Sequence, residues 1–196
     1  NSKEIKDGLE RLKINTVIIG DSSLIKQEII IDLLIFLGYI TSNENNQKYQ
    51  QIIVLRNIFL SDLLELNQDS KDKLSDKTDP LKPFDIIDGT KLKRLKIKEE
   101  DMNLLLELKN LRAKYSKMPA YLLKLFYGLL DLTGFPARLI KAGNEASRIQ
   151  LKNLANFSKL LKKFENITNS KDFGSFLYHI SIIPENKMED SAVSED

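Results

Sequence analysis

The sequence contains no cysteine and only one histidine, His179. Without cysteine, the chain cannot form a disulfide framework, a thiolate metal site or a cysteine nucleophile. One histidine is too few for a zinc or iron site built from several histidines of this chain. These absences exclude several classes of metalloprotein and cysteine enzyme.

Long hydrophobic runs are also missing. The longest apolar stretch, Ile29–Ile40, is interrupted by Asp32 and has about half the length that a membrane-spanning helix needs. No signal-peptide pattern precedes it. We therefore expect no membrane association and a cytoplasmic location, associated with the nucleoid if the source is a prokaryote.

The chain lacks an excess of charge of one sign. Its 30 basic and 28 acidic side chains give a net charge of +2, so any contact with nucleic acid must come from local patches. A hydrophobic content of 42% with 30% charged residues is typical of a soluble globular protein. The length suits one domain, or one domain plus a fragment.

No phosphate-binding loop of the Walker type is present. Such a loop needs two glycines five positions apart followed by Lys-Ser/Thr, and none of the eight glycines fits that spacing. His179 lies in an apolar helical stretch, which favours a packing or surface role over catalysis. Glu99–Asp101 is interpreted as a helix start rather than a cation site, since acids oppose the positive end of the helix dipole. We predict no catalytic residue and no metal site.

Most of the chain carries helical periodicity, with apolar residues recurring at steps of three and four. A loop is expected at Ser75–Asp88, and Gly134 and Pro136 are expected to break the chain. Glu185–Asp196 holds five acids against one lysine and is read as an acidic linker. The predicted helices are Ser2–Lys13, Glu28–Tyr39, Gln47–Asn57, Ser61–Leu74, Lys98–Lys114, Ala120–Leu132, Asn144–Ile167 and Phe173–Ile183.

One short β-strand is predicted near the N-terminus. The run Asn15–Gly20 is rich in β-branched residues and closes on glycine, a pattern typical of a strand. A lone strand is not stable, because its backbone groups need a neighbour. The chain also begins with Asn1 rather than methionine, and both observations lead us to expect a piece of a larger protein.

Two groups of basic residues are candidate DNA contacts. In the first, Lys91, Lys93, Arg94, Lys96 and Lys98 alternate with aliphatic residues just before a helix start, where cations and N-terminal amides can face a phosphate backbone. The second group is a stripe formed by Lys159, Lys162 and Lys163 together with Lys152, which lies seven residues before Lys159. The alternative is that both groups are solvated helix faces, as charge runs usually are.

Three stretches resemble one protein family in sequence and order. They are Glu4–Gly20, a helix leading to a strand and glycine; Leu24–Leu37, an apolar helix; and Phe173–Ile183, a helix followed by acids. All three resemble segments of UvrD/Rep-like superfamily 1 DNA helicases. In that family they correspond to the second RecA-like motor domain, the entry helix of the inserted accessory domain called 2B, and the return to the motor.

The middle of the chain extends the resemblance. Leu122–Phe135 and Leu151–Phe164 are similar to two successive helices of the same family, so that the likeness covers nearly the whole chain. Bacterial members contact duplex DNA through a Gly-Ile-Gly turn, but the corresponding stretch Arg56–Ser61 has no glycine. We keep Arg56 as a candidate DNA contact, while the bacterial mode of contact is not expected.

The resemblance implies a mainly α-helical accessory domain with one orphan strand near the N-terminus. Residues 1–23 would end a motor-domain segment, 24–168 would form the 2B-like domain, and 169–196 would return to the motor. The parent protein would be an ATP-dependent helicase, moving 3′ to 5′ in replication or repair. It would bind ATP and Mg²⁺, whereas this segment would need no cofactor.

The resemblance also implies the partners, which are duplex or forked DNA, bound weakly and in a salt-sensitive way, and the motor domains of the same parent chain. The segment alone would not be an enzyme. The alternative function is a stand-alone helical module whose amphipathic helices bind a protein partner.

Overall fold

The computed structural model describes residues 24–41, 57–79, 82–116, 121–168 and 172–182. Within these ranges the chain is mainly α-helical and has no strand, as the periodicity predicts for them. Short 3₁₀ turns lie at Leu24–Lys26, Ile58–Leu60 and Pro83–Ile86. The α-helices are α1 (Glu28–Thr41), α2 (Gln68–Lys77), α3 (Gly89–Arg94), α4 (Glu99–Tyr115), α5 (Leu122–Thr133), α6 (Phe135–Ala142), α7 (Glu145–Ile167) and α8 (Phe173–Ile182).

Several sequence predictions fall outside these ranges. The strand at Asn15–Gly20 and the helix at Ser2–Lys13 lie wholly among residues that the structure does not describe, and so does nearly all of the helix at Gln47–Asn57. The acidic stretch Glu185–Asp196 also lies outside. These four stay predictions.

Helix α1 lies at the centre of the described part. Its residues from Ile29 to Ile40 are all buried except the half-buried Ile31, because a helix that is apolar on every side must be covered on every side. The neighbours that cover it are chiefly α4, α5, α7 and α8. The helix predicted at Glu28–Tyr39 is confirmed.

One buried carboxylate interrupts this apolar helix. Asp32 is 5% exposed and accepts a hydrogen bond of 2.7 Å from the Ser61 hydroxyl. The same hydroxyl accepts a hydrogen bond of 3.2 Å from the Leu63 amide. A buried charge needs such polar neighbours, so Asp32 ties the turn after Ile58–Leu60 to the centre of the protein.

The helix predicted at Ser61–Leu74 is wrong in its first half. Ser61 caps only a turn, and α2 begins at Gln68 after Asn67, whose side chain accepts from the Asp69 amide at 3.2 Å. The Asn67 amide in turn donates to the buried carboxylate of Asp101, at 3.2 Å to its nearer oxygen. These contacts over long sequence separations set the turn, and helical periodicity does not reveal them. The loop predicted from Ser75 is likewise corrected, because α2 continues to Lys77.

Helices α5 and α7 run antiparallel. Leu123 near the start of α5 donates its amide to the Glu165 carboxylate near the end of α7, at 2.9 Å. Farther along, the Tyr127 and Ser158 hydroxyls are 2.6 Å apart. Since the first amides of a helix have no partner within it, Glu165 serves as the N-terminal cap that the sequence around Leu122 does not supply.

The break predicted at Gly134 and Pro136 is confirmed, and it is a sharp corner between two helices. Gly134 has a φ of 61°, which glycine adopts at low cost, and it ends α5. Pro136 then lies in the first turn of α6, where its missing amide costs nothing. The sequence predicts only the break here, and helix α6 is not among the predicted helices.

Arg138 on α6 joins that helix to the turn that follows Ser61. Its guanidinium donates to the carbonyl oxygens of Asp62 and Leu63, at 2.8 Å for Leu63. Glu65 lies 3.3 Å from Nε, and the Phe135 ring lies 5.1 Å below the guanidinium carbon. The turn at 61–67 is thus held at Ser61 by Asp32, at Asp62 and Leu63 by Arg138, and at Asn67 by Asp101.

Helix α8 closes the core through aromatic rings. Phe176 packs edge-on against Phe157 and Phe164, with centroids 6.0 and 5.2 Å apart. At its start, Phe173 lies so close to α1 that a Cβ added to Gly38 would be 2.9 Å from the ring. The first and last helices of the described part therefore contact each other directly.

The Asp32–Ser61 hydrogen bond is tested by replacing Ser61 with alanine. We expect the free energy of unfolding to fall by about 1–3 kcal/mol, because the buried carboxylate loses a donor. Ser70→Ala is the matched control. The Ser70 hydroxyl is fully buried and has no hydrogen-bond partner among the described residues, so its removal should be neutral or stabilising. Urea unfolding of both variants measures this, and an equal loss in both would contradict it.

Candidate nucleic-acid interface

The α3 basic segment, Lys91–Lys98, begins on a well-capped short helix. The Asp88 carboxylate accepts hydrogen bonds from the amides of Thr90 and Lys91, at 3.0 and 3.1 Å. The hydrogen bond from the Lys91 amide is the main reason that the pKa of Asp88 lies below its usual range, with the Thr90 amide and the charges of Lys109 and Lys91 adding to it. The ionised Asp88 carboxylate therefore caps the N-terminus of α3.

The aliphatic and the basic residues of this segment lie on different sides of it. Leu92 and Ile97 are buried in the core, and Leu95 is half-buried. The sequence alternation thus has a structural cause, because the aliphatic residues anchor the segment and leave the basic residues outside. The basic side chains that it leaves exposed are Lys91, Lys93, Arg94, Lys96 and Lys98.

A left-handed residue turns the chain between α3 and α4. Lys96 has a φ of 55°, and the next amide, Ile97, donates to the Leu92 carbonyl at 3.1 Å. This is the hydrogen bond of a Schellman motif, in which the left-handed position usually holds glycine. The Lys73 ammonium donates to the Lys96 carbonyl at 3.3 Å, so a lysine from α2 stabilises the turn that displays the basic segment.

The structure adds two lysines that sequence spacing does not indicate. Lys73 belongs to α2, and Lys109 on α4 donates to the Ile87 carbonyl at 2.6 Å, at the start of α3. Each lies more than ten residues from the basic segment along the chain, so no local pattern connects them to it. Their ammonium groups are already used in hydrogen bonds, as is that of Lys91, which donates to the Asp85 carbonyl at 2.9 Å.

The second predicted group lies on a different helix. Lys159, Lys162 and Lys163 are exposed on α7, which packs on α1, α5, α6 and α8, whereas α3 packs on α4. The two groups therefore lie on helices with different neighbours. Arg56, the remaining candidate, lies outside the described residues.

The acids at the start of α4 lie where the sequence predicts them. Glu99, Glu100 and Asp101 form the first turn of α4, which confirms their interpretation as a helix start. Glu99 and Glu100 are exposed beside the basic segment, and Asp101 is buried against the Asn67 amide. The positive charge of the α3 segment is consequently offset on its C-terminal side.

The single histidine lies where α8 packs on α7. Its ring centroid is 5.4 Å from that of Phe164, and Nε2 is buried without a hydrogen-bond partner among the described residues. Burial, and to a smaller extent the charge of Lys163, place the pKa of His179 below its ordinary value. These surroundings are those of a packing residue.

An acidic cleft of about 310 Å³ lies between α1, α7 and the turn at 57–62. Among the described residues its lining includes the carboxylates of Glu28, Asp32 and Asp62 and no basic side chain, which does not suit a phosphate backbone. Across the described ranges, no three His, Cys, Asp or Glu residues are grouped to hold a metal ion. No helix in those ranges has both the length and the apolar character to cross a membrane.

Comparison with known proteins adds no relative. No family model matches this chain, and neither does a curated protein or a solved structure.

We predict that His179 titrates below its ordinary pKa of 6.5. Because the unfolded chain then binds a proton more readily than the folded one, the free energy of unfolding should decrease as the pH falls below about 6.5. A proton NMR titration reads this directly, since no other histidine contributes. Lys163→Gln should move the pKa back towards 6.5, and a pKa above 6.5 in the unmodified chain would refute the assignment.

Proposed function

We propose that this chain is a helical accessory module of an ATP-dependent DNA helicase, corresponding to the 2B insertion of UvrD/Rep-like motors. In such a parent protein the motor domains bind ATP and single-stranded DNA. The helical module contacts the duplex ahead of the motor and regulates unwinding. The main support is the order of the resembling segments, which follows the family along nearly the whole chain.

The fold is compatible with this proposal. The resembling stretches Leu24–Leu37, Leu122–Phe135, Leu151–Phe164 and Phe173–Ile183 coincide largely with α1, α5, α7 and α8. These four helices share one hydrophobic core. The first and last of them, α1 and α8, are in contact, as suits a domain inserted into another, whose entry and exit lie close together.

DNA contact is proposed for the α3 basic segment. Lys93, Arg94, Lys96 and Lys98 are exposed on a short helix and turn that Leu92 and Ile97 anchor in the core. Cations held on such a rigid element can contact phosphates without further ordering of the backbone. Glu99 and Glu100 reduce the net charge, so the binding should be weak and sensitive to salt.

The DNA contact is tested by titrating the full chain with forked duplex DNA at about 50 and 200 mM salt. We expect binding at the lower salt and a clear loss at the higher. Lys93→Gln/Arg94→Gln should weaken binding and flatten the slope of log K against log salt by about 0.9 for each phosphate contact removed. Lys124→Gln/Lys141→Gln is the control, since it removes the same charge from α5 and α6. No binding at 50 mM, or equal effects of the two variants, would overturn the proposed contact.

The helicase assignment has a separate test in the neighbouring coding sequence. We expect a Gly-x-x-x-x-Gly-Lys-[Ser/Thr] motif upstream, because a parent motor must hold the phosphates of ATP. Further motor motifs are expected downstream of the acidic stretch. If sequencing finds neither, the chain is better explained as a free-standing helical interaction module, whatever the DNA titration shows.

A further inference from the structure

The outer face of α7 carries basic residues along one line. Arg148, Lys152, Lys159 and Lys163 follow one another at steps of 4, 7 and 4, which keeps them on one side of a helix with 3.6 residues per turn. All four are exposed, whereas Leu154, Phe157, Leu161 and Phe164 bury the opposite side. We call these four residues the α7 basic line.

The carboxylates of α7 do not balance this line. The helix contains five basic residues and two acids, Glu145 and Glu165. Glu145 pairs with Arg148 at the first turn, at 3.9 Å, and Glu165 faces α5, where it accepts from the Leu123 amide. The positive charge around Lys152 and Lys163 is therefore open to an acidic group from elsewhere.

Helix α8, which precedes an acidic segment of the same chain, packs on the helix that carries this line. It packs on α7 through Phe176 and Phe164, and the charge of Lys163 lowers the pKa of His179 in its second half. The α8 helix ends at Ile182, and Glu185–Asp196 follows after two residues with five acids against Lys187. The acidic segment and the α7 basic line therefore carry complementary charges.

The acidic segment Glu185–Asp196 is also long enough to follow the α7 basic line. The α7 basic line spans about 22 Å, at 1.5 Å per residue of helix. Twelve residues of extended chain reach up to about 40 Å, so Glu185–Asp196 can follow the whole line. Because the segment is tethered beside α7, its effective concentration there is on the order of millimolar.

The other basic group fits this partner less well. The α3 basic segment packs on α4 rather than on α8, and Asp85, Asp88, Glu99 and Glu100 adjoin it in sequence. An acidic segment would meet repulsion there, and α8, which precedes it, packs on α1 and α7. Chain connectivity and charge therefore both favour α7.

We infer that the acidic segment Glu185–Asp196 binds along the α7 basic line of the same molecule. The contact is electrostatic, it shields Lys152 and Lys163 from other polyanions, and salt releases it. It is independent of the helicase proposal, because it needs neither DNA nor a motor domain.

Paramagnetic NMR on the full chain tests this contact. Ser191→Cys places a single thiol among the acids, and no native cysteine competes for the nitroxide label. At about 0.1 M salt we expect the amide signals of residues 148–163 to lose at least about half their intensity. They should recover at about 1 M, since the screening length falls from about 10 Å to about 3 Å. The amides of residues 89–98 should change little.

Charge variants decide whether the lysines hold the segment. Lys152→Glu/Lys163→Glu should abolish the broadening on α7, whereas Lys93→Glu/Arg94→Glu should leave it unchanged. Both pairs are exposed, and amide spectra show whether each variant is folded. Unchanged broadening in the α7 variant, or stronger broadening on α3 than on α7, would overturn the inference. So would broadening that appears only when labelled and isotope-enriched chains are mixed, because the occupant would then be a second copy.

Discussion

The structure depends on the burial of α1 on all sides. A helix with apolar residues around its whole circumference cannot remain at a surface, so it requires neighbours in every direction. Helices α4, α5, α7 and α8 supply them, although they come from distant parts of the sequence. Asp32 is the polar exception, and its hydrogen bond to Ser61 makes the central helix also the anchor of an irregular turn.

The same burial determines where the charges go. Each basic group is exposed because the apolar residues next to it are buried in the core. These are Leu92 and Ile97 for the α3 segment and the face of α7 that contains Phe157. A chain with a net charge of only +2 can thus present two positive surfaces. Acids line the cleft beside Asp32, and those in the first turn of α4 adjoin the α3 segment and offset part of its charge.

Helices with many apolar residues at helical spacing could be predicted from sequence, and α1, α4, α5, α7 and α8 lie within a few residues of their predicted bounds. The turn at 61–67 could not, since Asp32, Asp101 and Arg138 shape it from other parts of the chain. Helix α2 buries only Ser70 and Leu74, too few to place its start by periodicity. The basic residues of the candidate interface were evident from their spacing, but the supporting role of Lys73 depends on tertiary structure.

The cap at the start of α5 has a consequence for the order in which the protein loosens. Glu165 reaches the Leu123 amide from 42 positions farther along the chain, so α5 does not carry its own start signal. When α7 separates, the first turn of α5 loses its only described side-chain acceptor at that amide. Separation of α7 therefore also removes a cap from α5, so that loosening of the one helix weakens the start of the other.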